Sequence, residues 1–290
     1  MKALVDRNKF GPWAIVTGAS SGIGKEFARH LAASGLNVVL VARRLVELEE
    51  VGRGLVADFS VQYRTVSVDL TEAGFLEKLE ESTRDLDVGL FIGNAGTATP
   101  GKFLGVDCEE FLRCVQLKVV ANLTLVHHFG RRLAKRGRGG VLLNSSIGGL
   151  QGVPYIANNA ASEAYVLSLG EGLHSEFQEL GLHMTVLMPG PTATPGQTRL
   201  GIDPANMRPA PMSAERVAAE GLAALNANRA THIAGRMNRI MFSLMSRSVA
   251  TKMMGAMIAG RDLAASAGTR ALAPPEAAGV EATHRHGGDR

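Results

Sequence analysis

The chain has 290 residues, 46% hydrophobic and 20% charged, values of a globular protein that exclude a disordered or fibrous one. A net charge of +4 over this length and an aromatic content of 5% give little basis for holding nucleic acid, so no nucleic-acid partner is expected. The two cysteines, Cys108 and Cys114, are too few and too close for a disulfide framework, no Cys/His spacing suits a metal, and no apolar run approaches the roughly 18 residues of a membrane span; a cytoplasmic protein without metal or membrane contact is expected.

Short β-branched runs alternate with longer helical patterns through the first two thirds. The expected strands are Ala14 to Thr17, Asn37 to Ala42, Tyr63 to Val68, Val88 to Ile92, Gly140 to Asn144 and Met184 to Met188, with a weaker one near Thr231 to Ala234. Nearly continuous apolar strands separated by helices imply a parallel sheet covered on both faces, an α/β doubly wound fold. After the first strand comes Gly18-Ala-Ser20-Ser21-Gly22-Ile23-Gly24, followed by a helical pattern. Its glycines allow a tight turn and let a pyrophosphate approach the helix N-terminus, where free N–H groups favour anions. About 20 residues beyond the last glycine, where an acid would meet a cofactor ribose, stand Arg43 and Arg44. Two guanidinium groups suit a 2′-phosphate, so NADP(H) is expected over NAD(H).

Further along, Arg131, Arg132, Lys135, Arg136 and Arg138 form the densest basic cluster, read as a solvated helix end opposing the helix dipole. Six of the eleven prolines fall between Pro189 and Pro211, so residues 193–212 are expected to form a long loop with short helical pieces, acting as a lid. Six of the eleven methionines lie between Arg236 and Gly260, with Met237, Met241 and Met245 at a spacing that puts them on one helical face. That face is either an ordinary buried one or an adaptable surface for an apolar ligand, a second subunit or a membrane. Residues 1–264 are expected to form one domain, and 265–290 a disordered tail.

Five motifs carry a resemblance. Thr17-Gly-Ala-Ser-Ser-Gly-Ile-Gly24, Val68-Asp69-Leu70, Asn94-Ala95-Gly96, Asn144-Ser-Ser146 and Pro189-Gly190-Pro-Thr192, each following a strand and in this order, resemble the short-chain dehydrogenase/reductase family. The resemblance implies one Rossmann-type doubly wound parallel sheet of about seven strands in the order 3-2-1-4-5-6-7, helices on both faces, a nicotinamide cofactor, and a homodimer or homotetramer. It also implies that Asp69 and Leu70 meet the adenine, Asn94 to Gly96 the adenine ribose, and Gly190, Thr192 and Thr194 the nicotinamide side.

The resemblance further implies a proton relay of Asn, Ser and Tyr-x-x-x-Lys, and here the pattern departs. The Ser is Ser146, but thirteen residues on stands Asn159, and Asn159-Ala-Ala-Ser-Glu163 occupies the Tyr-x-x-x-Lys segment, while Lys118 takes the Asn place. The other tyrosines nearby, Tyr155 and Tyr165, lack a Lys four residues on. An amide has no titratable proton near neutrality, so Asn159 cannot serve as a general acid, a loss of about 10²- to 10⁴-fold in rate. Glu163 is expected to accept from the nicotinamide ribose, and Lys118 to face it, because a lone buried carboxylate is costly. An anion there would favour the oxidised cofactor. The candidate catalytic residues are therefore Ser146, Asn159, Glu163 and Lys118. They suit an NADP(H)-binding oxidoreductase of an apolar small-molecule carbonyl or alcohol, a redox-neutral isomerase, cyclase or lyase that keeps the nucleotide as a scaffold, or a nucleotide-bound pseudoenzyme acting through a protein partner.

Overall fold

Val, Ile and Leu at consecutive strand positions send apolar side chains to both faces of a sheet, and only a sheet covered on both sides buries them all. The computed structural model, which describes residues 2–196 and 210–259, has that architecture. A short helix α1 (Arg7–Phe10) precedes β1 (Trp13–Thr17), α2 (Gly22–Ala33), β2 (Asn37–Ala42), α3 (Leu45–Phe59), β3 (Tyr63–Ser67), α4 (Phe75–Glu81) and β4 (Val88–Gly93). A second half follows with α5 (Cys108–Val115), a π-helical turn Gln116–Val120, α6 (Ala121–Arg136), β5 (Gly139–Asn144), α7 (Ala157–Glu179) and β6 (Leu182–Met188). Beyond β6 lie β7 (Thr192–Ala193), β8 (Met212–Ser213), α8 (Ala214–Asn226), β9 (Thr231–Ile233), α9 (Arg236–Leu244) and α10 (Arg247–Ala259).

Seven strands pair in parallel in the order β3-β2-β1-β4-β5-β6-β9, the order implied by the resemblance, with β9 as the seventh. Alternation along β1 shows how the two layers form. Ala14 and Val16 join Phe27 and Leu31 of α2, Leu48 of α3 and Leu222 of α8 in one core. Ile15, between them, joins Phe91, Leu79 of α4, Phe129 of α6 and Phe177 of α7 in the other. The strand order reverses between β1 and β4, and in such sheets ligands bind at the carboxyl ends of the strands at that reversal.

Three expectations change. Residues 197–209, most of the proposed lid, lie outside the described residues, as does the tail 265–290. The flanks of that segment, expected as loop, pair instead as a two-stranded parallel ribbon: Thr192 lies opposite Met212 and Ala193 opposite Ser213. The Met-rich region is two helices rather than one face, because Met245 leaves the helical conformation with ψ at 131°. Met237 is 76% exposed and no residue of α9 is buried, so an ordinary buried face is excluded. The basic cluster is not merely solvated either. Arg132 donates to the backbone carbonyls of Thr83 and Leu86, and Arg136 pairs with Asp87 at 2.8 Å while donating to the carbonyl of Lys9, so both tie α6 to neighbouring turns.

Candidate cofactor cleft and active site

A cleft of about 500 Å³ opens at the sheet reversal, lined from the glycine-rich turn to Lys118 and Glu163. A larger hollow of 810 Å³ between α4 and α6 contains none of the glycine turn or relay positions, so the chemistry is assigned to the smaller cleft.

The glycine turn is shaped by backbone. Gly18 and Gly22 adopt φ of +68° and +56°, values that disfavour side chains. A Cβ at Gly24 would collide with the carbonyl of Gly18 and the amide of Asn94, which fixes how closely α2 approaches the sheet. Ser21, the N-cap residue, makes no capping bond, so the amino end of α2 keeps its N–H groups for an anion. Ser20 and Ser21 instead accept from Arg44 at 3.0 and 3.4 Å. Arg43 lies 3.5 Å from Asp69 with its side chain 69% exposed. Burial works against ionisation of Asp69, but the N–H and hydroxyl of Thr71 and the Arg43 guanidinium together hold its carboxyl below the usual range. Ile23, Leu70, Ala95, Gly96 and Thr194 line the same cleft.

Below the cleft runs a buried amide chain absent from the expectations. The Thr17 hydroxyl accepts from the N–H groups of Asn94 and Ala95 at 2.9 and 3.0 Å. Asn94 donates to the Thr17 carbonyl and accepts from Asn144 at 2.9 Å. Asn144 and Ser145 line the cleft, as do Thr97 and Arg113. Asn144 stands within a quoted motif, the one sequence signal that could have marked it; Thr97 and Arg113 had none.

At the far end Lys118 and Glu163 meet. Lys118 sits in the π-helical turn, which carries it inward to 4% exposure. Its Nζ donates to the carbonyl oxygen of Asn144 at 2.6 Å and lies 3.0 Å from Oε1 of Glu163. The expected facing of cation and anion is present, and the pair is formally neutral, which weakens the expected preference for an oxidised cofactor. Oε2 of Glu163 is buried with no hydrogen-bond partner, an acceptor aimed at nothing the described residues supply.

Asn159 is placed differently. Its Nδ2 donates to the carbonyl of Thr97 at 2.9 Å and contacts Sγ of Cys114 at 3.3 Å, while Oδ1 accepts from the Thr99 N–H at 3.0 Å. Both amide protons are engaged, so Asn159 pins the loop after β4 to α7. Burial pushes the Cys114 thiol up, so it serves this clamp as a neutral group. Ser146 accepts from Gly148 N–H at 3.0 Å as the cap of a short 3₁₀ turn, and its own O–H has no acceptor among the described residues. Ser146, Asn159, Pro189, Gly190 and Thr192 are not among the residues lining the cleft. Pro189 accepts from Ile147, and the Thr192 hydroxyl closes onto the Gly190 carbonyl at 2.9 Å.

The cleft can therefore hold an elongated anionic nucleotide at its glycine end and present an ion pair at the other. Residues 12–204 match the model of the short chain dehydrogenase family. The 7β-hydroxysteroid dehydrogenase of Clostridium sardiniense is 32% identical over 80% of this chain and 89% of its own. The very-long-chain 3-oxoacyl-CoA reductase-A of Danio rerio is 31% identical over 64% of this chain and 60% of its own. A solved structure of a 7β-hydroxysteroid dehydrogenase superposes with a TM-score of 0.78 at 28% identity, covering 86% of this chain and 98% of that one. The short-chain dehydrogenase of Sphingobium yanoikuyae, solved in complex with NADPH, does so with 0.73 at 27% identity, covering 91% and 99%.

Proposed function

Because the chain belongs to the short-chain dehydrogenase family, we propose that it is an NADP(H)-dependent oxidoreductase in which the Lys118–Glu163 ion pair replaces the usual proton relay. The observation that carries this reading is the pair itself, 3.0 Å long and buried at the inner end of the cleft. Residues 1–264 form its single nucleotide-binding domain, acting in the cytoplasm as a homodimer or homotetramer.

Several features fit the cofactor. The amino end of α2 would receive its pyrophosphate, Arg43 and Arg44 its 2′-phosphate, and the unpartnered Oε2 of Glu163 a ribose hydroxyl. When bound, the nicotinamide supplies or accepts the hydride. The chain supplies the rest. Lys118 uses two of its three N–H groups on Asn144 and Glu163, and the third is available to an oxygen in the cleft. In the reducing direction Lys118 gives one proton to the product oxygen and regains it from water through the partly exposed Glu163. Asn159 holds the loop after β4 without touching the reacting atoms.

The substrate class is an apolar alcohol or ketone. The relatives named for a hydroxysteroid and for a very-long-chain oxoacyl group both carry a hydroxyl or oxo function on a bulky apolar body. The test is NADPH oxidation with a panel of steroid ketones and long-chain 3-oxoacyl thioesters. Wild type turns over, and Lys118→Met loses about 10²-fold or more while still binding NADPH. A wild-type protein that fails to bind NADPH overturns the reading, and full turnover by Lys118→Met overturns the role of Lys118.

The free Oε2 of Glu163 also favours a second reading, a redox-neutral isomerase in which this carboxylate acts as a base. In that case substrate is consumed without net oxidation of NADPH, and Glu163→Gln abolishes turnover with nucleotide binding intact.

A further inference from the structure

Helices of a water-soluble protein normally turn their polar side to solvent, yet α9 turns an apolar stripe there as well. Phe242 packs inward against the core near Val186 and Met188. On the same inner side Asn238 donates to the carbonyl of Ala234 at 2.8 Å, and Arg239 binds Glu220 at 3.1 Å and the carbonyl of Ile233 at 2.9 Å. The outward stripe is Met237, Ile240 and Leu244, spaced by three and four residues and 76%, 46% and 82% exposed. On α10, Val249 and Met257 are 54% and 39% exposed, while Met254 and Ile258 anchor the helix to the core.

Charge accompanies this apolar surface. From Arg236 to Ala259 the sequence holds four basic residues and no Asp or Glu. Arg239 is committed to Glu220, but Arg236, Arg247 and Lys252 are exposed and form no ion pair among the described residues. Arg236 adjoins the stripe at its amino end, and Arg247 and Lys252 flank Val249. Long cationic side chains beside exposed aliphatic ones match the chemistry of a bilayer interface, where the apolar groups enter the acyl boundary and the cations meet anionic headgroups.

We propose that α9 and α10 form a platform that rests the protein on an anionic lipid bilayer. No helix among the described residues is long and apolar enough to cross a membrane, and hydropathy along the chain misses such a surface because its apolar residues are interleaved with polar ones. The platform packs against the turn after β6, where a Cβ at Gly190 would meet Asn238 of α9. The platform stands on exposure and charge alone and does not depend on the redox reading.

Co-sedimentation with phosphatidylcholine vesicles, with and without phosphatidylserine, tests it. The wild-type protein is expected to partition onto the phosphatidylserine vesicles at low salt and to be released at high salt. A Met237→Glu/Leu244→Glu variant and an Arg236→Gln/Arg247→Gln/Lys252→Gln variant each lose at least about tenfold in partitioning, with unchanged melting temperature and NADPH binding. Failure of the wild type to partition overturns the proposal, as does partitioning that neither variant weakens. So does a wild-type dimer that ignores vesicles and is split by Met237→Glu/Leu244→Glu in sedimentation velocity, which assigns the face to a second copy of the chain.

Discussion

At position 159 a single amide acts as a structural clamp. The Asn159 side chain fills a slot bounded by Thr97, Thr99 and Cys114 and satisfies a backbone donor and a backbone acceptor there. Asn159→Ala leaves both unpaired and is expected to destabilise the protein by about 2 kcal/mol, measured by urea denaturation. Asn159→Tyr alone loses the same clamp, and without Glu163→Lys and Lys118→Asn beside it no faster ketone reduction is expected; a single substitution that speeds turnover tenfold would contradict the clamp. The sequence placed Lys118, Asn159 and Glu163 as candidates through the register of the flanking Ala160, Ala161 and Ser162, and the structure brings Lys118 and Glu163 together. What the Asn159 side chain touches was not legible there. The contacts of Asn159 come from a loop sixty residues earlier in the chain, and spacing along one helix carries no information about such a partner.

Among the elements, strands were read with the greatest accuracy, since a buried strand is an apolar run and its ends coincide with glycine or polar residues. Asn37–Ala42 has the expected bounds, and β6 begins only two residues earlier than Met184. The direction of the α9 face was left open in the sequence, because methionines spaced by four share a face whichever way that face looks. Direction is set by tertiary anchors, chiefly Glu220 on α8. Its carboxylate accepts from the Gly235 N–H at 2.9 Å and pairs with His232, Arg239 and Arg216, joining α8, β9 and α9. Burial works against this charge, but the four donors outweigh it and bring the carboxyl down from 4.5 to about 2. A depressed carboxylate contributes stability above its unfolded pKa and loses it as pH falls toward the folded one. Glu220→Gln is therefore expected to cost about 2 kcal/mol at pH 7, discounted for partial exposure. The stability difference from wild type should shrink by more than half at pH 3 in thermal melts. An equal difference at both pH values would show that the network acts through packing rather than charge.

On the scale of the whole molecule, the sheet order, the glycine turn and the paired arginines frame one cleft, the site proposed for a nucleotide. The inner end of that cleft carries a cation from the π-helical turn and an anion from α7. This arrangement was legible in outline because the family motifs each follow a strand and so converge at the carboxyl ends of the sheet. The amide chain through Thr17, Asn94 and Asn144 was not, since strand order says which strands are neighbours but not which side chains at their ends bond to one another. The central claim is that Lys118 and Glu163 act on the nicotinamide end as one neutral unit. Removing either charge leaves the other alone beside a ring that is positive when oxidised and neutral when reduced. The most direct measurement is the ratio of NADPH to NADP⁺ dissociation constants, by calorimetric titration, for wild type, Lys118→Met and Glu163→Gln. A unit charge at such range in a partly screened site is worth about 1 kcal/mol, or roughly fivefold in this ratio. The account predicts that Glu163→Gln shifts the ratio toward NADPH and Lys118→Met toward NADP⁺, in opposite directions from wild type; ratios that stay the same in both variants, or move together, would contradict it.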